Sequence, residues 1–292
     1  SLTYLIKLVI NKKISKVSFI ASFTILNIFK DKLWSVFEQI PEFAGYIGRM
    51  NISFKYFKEV SEQLDLILEK KKYSDPKLKL DTIKFENIVY KYTNGKTVFD
   101  NKNINIDLNN RIIGITGPSG SGKSTLMKLL LRMYHYEGNI YIDDVNIKDI
   151  DPLFIRNQFT YVNQSSKLFD KKVIDNMLYG CMDENQCNNY LEKIMKYPQI
   201  SKLYQNIDIY NKDSGQLGEN LSGGQRQIIN MIGGLINSSP ILILDEPTNA
   251  LDPSLKNEVI GIIKDFKHIK ENIIIITHDK DVFTIFDDEI KL

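Results

Sequence analysis

No stretch of this chain is apolar for the roughly 20 residues that a membrane-spanning helix needs. The two candidates, 2–10 and 17–29, are short, and Lys7 interrupts the first. Cysteine is nearly absent. Cys181 and Cys187 stand without a second ligand pair or a nearby histidine, which argues against a metal site and leads us to expect reduced, incidental thiols. Charge of one sign is also lacking: 38 Lys and Arg against 36 Asp and Glu leave a net +2, so no nucleic-acid partner is expected. The N-terminus carries no basic start, apolar run and small-residue cleavage site in succession, hence no signal peptide. It begins at Ser1 rather than methionine, so a fragment or processed product is expected. What is present is 292 residues of 43% hydrophobic content, enough for one large core or one domain with an attachment.

Residues 2–68 are rich in Ile, Phe and Leu, poor in Gly and Pro, and read as helical. Two readings stay open there: a pair of amphipathic helices packed on something, or membrane helices that are polar where they face a pathway or water. A charged stretch from Glu69 to Lys77, with Pro76 near its end, reads as a linker. Beyond it, short β-like runs (83–92, 139–142, 241–244 and 273–276) alternate with helical segments. The last two are continuously apolar, as in parallel strands covered on both faces. The expectation is an α/β nucleotide-binding core.

Gly117 to Ser124 fits G-x-x-x-x-G-K-[ST], after apolar Ile112, Ile113 and Ile115 and before a helix-like run from Thr125 to Arg132. Glycines let successive N–H groups wrap phosphates, and the helix N-terminus adds its positive end. Gly117, Ser119, Gly120, Ser121, Gly122, Lys123, Ser124 and Thr125 are therefore expected to hold a nucleotide, with Lys123 on the β- and γ-phosphates and Ser124 on Mg²⁺. Asp245 and Glu246 follow the apolar run 241–244. Asp245 is placed to hold Mg²⁺, directly or through water, and Glu246 to polarise a water attacking the γ-phosphate. Leu221-Ser222-Gly223-Gly224-Gln225 opens another helix-like segment. Serine there is an ordinary helix cap, but two glycines behind it allow N–H groups to approach an anion. One nucleotide site does not need both phosphate binders.

Taken in order, these motifs resemble the ATPase domain of ABC transporters over about Leu80 to the C-terminus. The resemblance implies a P-loop NTPase core with a mixed sheet, an antiparallel β subdomain and an α-helical subdomain at about 165–222, preceded by N-terminal helices. Ser222, Gly223, Gly224 and Gln225 match the family signature, Gln164 the Q-loop, His278 the switch histidine, and Asn249-Ala250-Leu251-Asp252 the D-loop. By that resemblance ATP lies between the phosphate loop of one ATPase domain and the signature of a second. Ser222 would then touch a nucleotide that Lys123 of the same chain does not, and Asp252 would serve that junction. Gln164 would couple Mg²⁺ and water to the helical subdomain, and His278 would sense the γ-phosphate. Tyr92 matches the A-loop and is the candidate to stack on adenine, with Tyr90 competing.

Leu168 to Gly180 and Gly215-Gln216-Leu217-Gly218 resemble exporter members. That implies residues 1–75 are the end of a transmembrane domain plus linker, with its last two helices, and residues 80–292 the ATPase domain. The ATPase domain would lie in the cytoplasm, partnered by a second ABC ATPase domain and a transmembrane domain. Two features depart from the pattern: Gly233 stands where arginine is usual, and Gly233-Gly234 should loosen the helix after the signature. The competing reading is a soluble ABC-type ATPase acting as a mechanical or regulatory module.

Overall fold

The computed structural model describes residues 3, 6–7, 10–11, 13, 15–68, 77–93, 95–165, 167–249 and 251–292. The chain divides into two units, 1–64 and 65–292. Helix α1 (Lys16–Leu68) makes up most of the first and runs 53 residues, a length of about 80 Å at 1.5 Å per residue. Apolar side chains such as Phe29, Phe37 and Phe54 are exposed along it. Ahead of it, residues 3, 6, 7 and 10 are helical as well, and the Asn11 N–H donates to the Lys7 carbonyl at 3.1 Å. Lys30, Asp31 and Lys32 interrupt the apolar run but are helix-tolerant, and Pro41 lies within α1 without ending it. No helix among the described residues is long and apolar enough to cross a membrane. The linker at 69–76, most of the apolar run 2–10, and Ala250 lie outside the described residues.

The second unit starts with β1 (Thr82–Lys91), β2 (Thr97–Asp107), β3 (Ile112–Thr116), α2 (Lys123–Leu130), β4 (Glu137–Ile142) and β5 (Val145–Asn146). It continues through α3 (Pro152–Gln158), β6 (Phe159–Val162), α4 (Val173–Met177), α5 (Glu184–Met195), α6 (Pro198–Tyr204) and α7 (Gly223–Ile236). It closes with β7 (Ile241–Asp245), α8 (Pro253–Asp265), β8 (Asn272–Ile276) and β9 (Asp288–Lys291). The expected mixture of strand directions is divided between two sheets. One is antiparallel, ordered β2-β1-β4-β5; the other, β6-β7-β8-β3-β9, is parallel throughout.

The period-two alternation of strand side chains explains how the parallel sheet is covered. Ile113, Ile115, Ile241, Ile243, Ile274 and Ile276 pack with α2 and the antiparallel sheet, while Ile112, Leu242, Leu244, Ile273 and Ile275 pack with the helices α4 to α8. Both faces are therefore buried, which is why β7 and β8 read as unbroken apolar runs. The entry to β1 is pinned by the Asp143 carboxylate. It accepts hydrogen bonds from the backbone N–H groups of Lys79, Leu80, Asp81 and Thr82 at 2.8–3.2 Å.

The thiol expectation is corrected. Cys181 and Cys187 form a disulfide. Asp183 caps α5 by accepting from the Gln186 N–H, and this turn folds the chain back so that the two Cα atoms lie 6.4 Å apart, inside the span a disulfide can bridge.

Candidate functional site

The phosphate loop is shaped by its glycines. Gly117, Gly120 and Gly122 all have positive φ, at 143°, 82° and 97°, where a side chain would be strained. At Gly122 a Cβ would also lie 2.7 Å from both Val98 and Phe99. Gly122 caps α2 with no side-chain bond to the helix end, so the first N–H groups of α2 are turned toward an anion site. Lys123 is buried, and its Nζ donates to the carbonyls of Gly117 at 2.9 Å and Pro118 at 3.0 Å. These contacts hold the ammonium above the loop.

The loop forms one wall of a cavity of about 560 Å³. Ser119, Gly120, Gly122, Lys123, Ser124 and Thr125 line it on that side, and Gln164, Asp245, Glu246 and His278 on the other. The parallel order β6-β7-β8-β3 brings the C-terminal strand ends together, which is where ligands bind in open α/β sheets. Gly117 and Ser121 lie in the loop but not on the lining. The Ser121 hydroxyl is buried without a hydrogen-bond partner.

Asp245 and Glu246 differ in their surroundings. Asp245 accepts from the Tyr161 hydroxyl through Oδ2 at 2.5 Å, while its buried Oδ1 has no hydrogen-bond partner. Burial, with the hydrogen bond to Asp245 next, pushes the Tyr161 phenol far above its ordinary range, so it stays a donor. The same phenol also meets the Ser124 side chain. Oxygens of Ser124 and Asp245, with Gln164 on the same lining, are the hard ligands Mg²⁺ prefers. The unpartnered Asp245 oxygen makes the donor set fit such a cation. Among the described residues there is no group of three or more His, Cys, Asp or Glu able to hold a metal.

Glu246 is held on every side. Its Oε1 lies 2.8 Å from His278 Nδ1, and its Oε2 accepts from the Thr277 hydroxyl at 3.2 Å. Its backbone N–H donates to Ile276 and its carbonyl accepts from Gln227 Nε2. Its φ of 52° is unusual for a residue with a side chain. This turn directs the carboxylate back toward the cavity rather than along the strand.

Tyr92 lies on the cavity rim and shares a 2.7 Å hydrogen bond with the Thr125 hydroxyl. Tyr90, its competitor, is buried in the core and meets Tyr92 edge-on with centroids 5.1 Å apart. Lys96, Val98 and Pro118 also line the cavity. The sequence reading passed over Tyr161 and Lys96. Tyr161 stands three residues before Gln164, and Lys96 sits in the turn between β1 and β2, but neither position signals its partner.

Five further expected residues stay away from this lining. Ser222 caps α7 by accepting from the Gln225 N–H at 3.2 Å, and Gln225 returns a bond from the Ser222 N–H at 2.8 Å. Neither they nor Gly223 and Gly224 line the cavity that Lys123 lines. Asp252 caps α8, accepting from Ser254 and Leu255. The Ser254 side chain, then the Leu255 N–H, hold its carboxyl below the usual range.

Against known proteins, a family model described as ABC transporter matches residues 101–249. A Lactococcus lactis protein, lactococcin-G-processing and transport ATP-binding protein LagD, is 33% identical over 72% of this chain and 30% of its own length. The mating factor M secretion protein mam1 of Schizosaccharomyces pombe is 34% identical over 67% of this chain and 15% of its own. The chain spans about a third or less of the curated relatives it matches, with 34% the share in one Rickettsia typhi protein. The solved structure of a bacterial Atm1-family ABC exporter with ATP bound superposes with a TM-score of 0.66, at 24% identity, over 80% of this chain and 42% of that one. That likeness is one of fold.

Proposed function

The chain belongs to the ABC transporter family, and we propose that it is the ATP-binding and hydrolysing part of an exporter. In this reading residues 1–75 are the end of a transmembrane domain plus linker, and 80–292 the ATPase domain, with a helical subdomain at about 165–222. The observation that carries it is the pairing of two neighbouring acids with unlike surroundings. Asp245 keeps a buried oxygen without a partner, while Glu246 is fixed by Thr277 and His278.

The residues divide the work as follows. The N–H groups of the glycine loop and of the α2 N-terminus, with Lys123, bind the phosphates. Tyr92 stacks on the base. Ser124, Asp245 and Gln164 would hold Mg²⁺, which when bound would supply positive charge to offset that of the phosphates. Glu246 accepts a proton from the attacking water, and His278 orients the Glu246 carboxylate through Nδ1. Ser222, Gly223, Gly224 and Gln225, with Asp252 nearby, serve the nucleotide of a second ATPase domain.

Export across a membrane is supported by the names of the relatives and by α1, whose apolar residues are exposed along its length; by the family resemblance the ATPase domain would lie on the cytoplasmic side. Large apolar side chains left exposed in such number mark a surface that a neighbour covers. Phe169 and Tyr179, exposed with ring centroids 4.7 Å apart, offer an aromatic patch for a transmembrane partner.

Glu246→Gln tests the assignment. It should bind ATP with the parent's affinity and lose turnover by about 100-fold or more, the scale of general-base catalysis. Steady-state phosphate release beside nucleotide titration measures both. An undiminished rate in the variant would remove Glu246 from the chemistry.

A further inference from the structure

His278 needs a support that its own environment does not supply. Its side chain is 63% exposed, so its 2.8 Å contact with Glu246 depends on how the loop after β8 is held. That loop is clasped from outside the cavity by Lys256, a residue of α8. Lys256 Nζ lies 2.8 Å from Asp279 Oδ2 and 2.6 Å from Asp281 Oδ2. The Asp279 carboxylate also accepts from the Thr248 hydroxyl at 3.0 Å, and the Asp279 N–H donates to Thr277 Oγ1 at 3.0 Å. Thr277 in turn donates to Glu246.

A continuous set of bonds thus runs from α8 through Asp279 and Thr277 to Glu246, and Asp279 is the chain neighbour of His278. Lys256 and Asp279 side chains are only 19% and 21% exposed, so their attraction is screened less than that of a surface pair. The hydrogen bonds to Asp279, then Asp281, raise the Lys256 ammonium above its usual range. Burial works against ionisation of Asp279, yet its bonds from Lys256, the Asp281 N–H and Thr248 leave its carboxyl below the ordinary value. Both groups are charged at neutral pH.

We propose that Lys256 is a positioning residue for ATP hydrolysis: through Asp279 and Asp281 it clamps the loop that carries His278 and so holds the imidazole against Glu246. The proposal rests on the reading that Glu246 and His278 serve hydrolysis. Lys256 does not line the cavity that Lys123 lines, so its loss should slow turnover without weakening nucleotide binding. The chain has three histidines, which makes the ring of His278 separately observable by NMR beside His135 and His268.

The experiment uses the whole chain and three variants, Lys256→Met, Lys256→Arg and Asp279→Asn. Lys256→Met and Asp279→Asn should each lower kcat about tenfold with KM within about twofold, the effect of misplacing a catalytic group slightly. Lys256→Arg should recover most of the rate. In Lys256→Met the His278 ring signals should shift while those of His135 and His268 stay. If Lys256→Met does not fold, pairing Lys256→Asp with Asp279→Lys replaces it, and recovery relative to Asp279→Asn supports the clasp. A kcat unchanged in both single-site removals, a loss carried by KM, or unmoved His278 signals would overturn it. If Glu246→Gln hydrolyses at the parent's rate, the reading of the site fails separately. The His278 signals of Lys256→Met then still decide whether the clasp places the ring.

Discussion

Tyr90 and Tyr92 are two residues apart and have unlike surroundings. Tyr90 is still inside the paired strand, opposite Phe99, and is 7% exposed. Tyr92 lies one residue beyond β1 and rims the cavity. Tyr92→Ala should weaken ATP affinity about tenfold, the worth of one base–aromatic stack, whereas Tyr90→Phe should leave it unchanged. Titration with nucleotide compares them, and unchanged affinity in Tyr92→Ala would move the stacking role elsewhere. Tyr90 carries a separate signature in pH. Burial, then the neighbouring Tyr92 and Tyr134, push its phenol up to about 12 from 10.0. The unfolded chain ionises first, so the stability Tyr90 contributes is complete below pH 10 and lost as pH rises from 10 to 12. Urea midpoints across that range should fall less steeply in Tyr90→Phe. The sequence contained both tyrosines and left the choice open, because where β1 ends depends on its pairing with β2. Asp245 and Glu246 were legible because they are adjacent behind an apolar run. Tyr161 was not, since its contact with Asp245 joins residues 84 apart.

The elements were legible where periodicity and motif agreed. β3, its glycine loop and α2 stand where the motif put them, and β7 and β8 match their apolar runs. The helix after the signature is the instructive exception. Two adjacent glycines should loosen it on propensity alone, yet α7 is continuous from Gly223 to Ile236. The reason is close packing. A Cβ at Gly234 would lie 2.4 Å from Val162 Cγ2 and 3.0 Å from Leu242 Cδ1, so α7 touches β6 and β7 through a position with no room for a methyl group. At Gly233 the nearest atom, the Asn176 carbonyl oxygen, is 3.0 Å away. Gly234→Ala should therefore destabilise by about 1–2 kcal/mol, overpacking exceeding the gain in helix propensity. Gly233→Ala should stay within about 1 kcal/mol of the parent, because the helix gain of similar size offsets a marginal contact. Denaturant midpoints check the pair, and equal effects would show that propensity, not packing, governs this helix. Sequence alone could not separate them. The atoms that decide come from β6 and α4, far along the chain, as well as from nearby β7.

At the scale of the whole molecule, the surplus phosphate binder acquires a physical meaning. Lys123 and the two acids line one cavity, while Ser222, Gly223 and Gly224 stand off it at the start of α7. Glycines at a helix N-terminus leave N–H groups open to an anion, and the first cavity already has those of α2. The order of motifs was legible in the sequence; their separation in space was carried only by the family resemblance, because no periodicity reports where α7 points. If the α7 end completes the site of a second ATPase domain, ATP should draw two chains together, most clearly in Glu246→Gln, where bound ATP persists. Sedimentation of that variant with and without ATP measures the effect. Adding Ser222→Arg should abolish the ATP-dependent dimer while leaving nucleotide binding by each chain intact, because the arginine obstructs the partner's phosphate and not this chain's own. Ser222 also caps α7, and losing a cap costs about 1 kcal/mol, so Ser222→Ala is the control: it removes the cap but adds no bulk. The ATP-dependent dimer should weaken far less in Ser222→Ala than in Ser222→Arg. A dimer that persists with arginine at this position would mean that the signature does not face a second nucleotide.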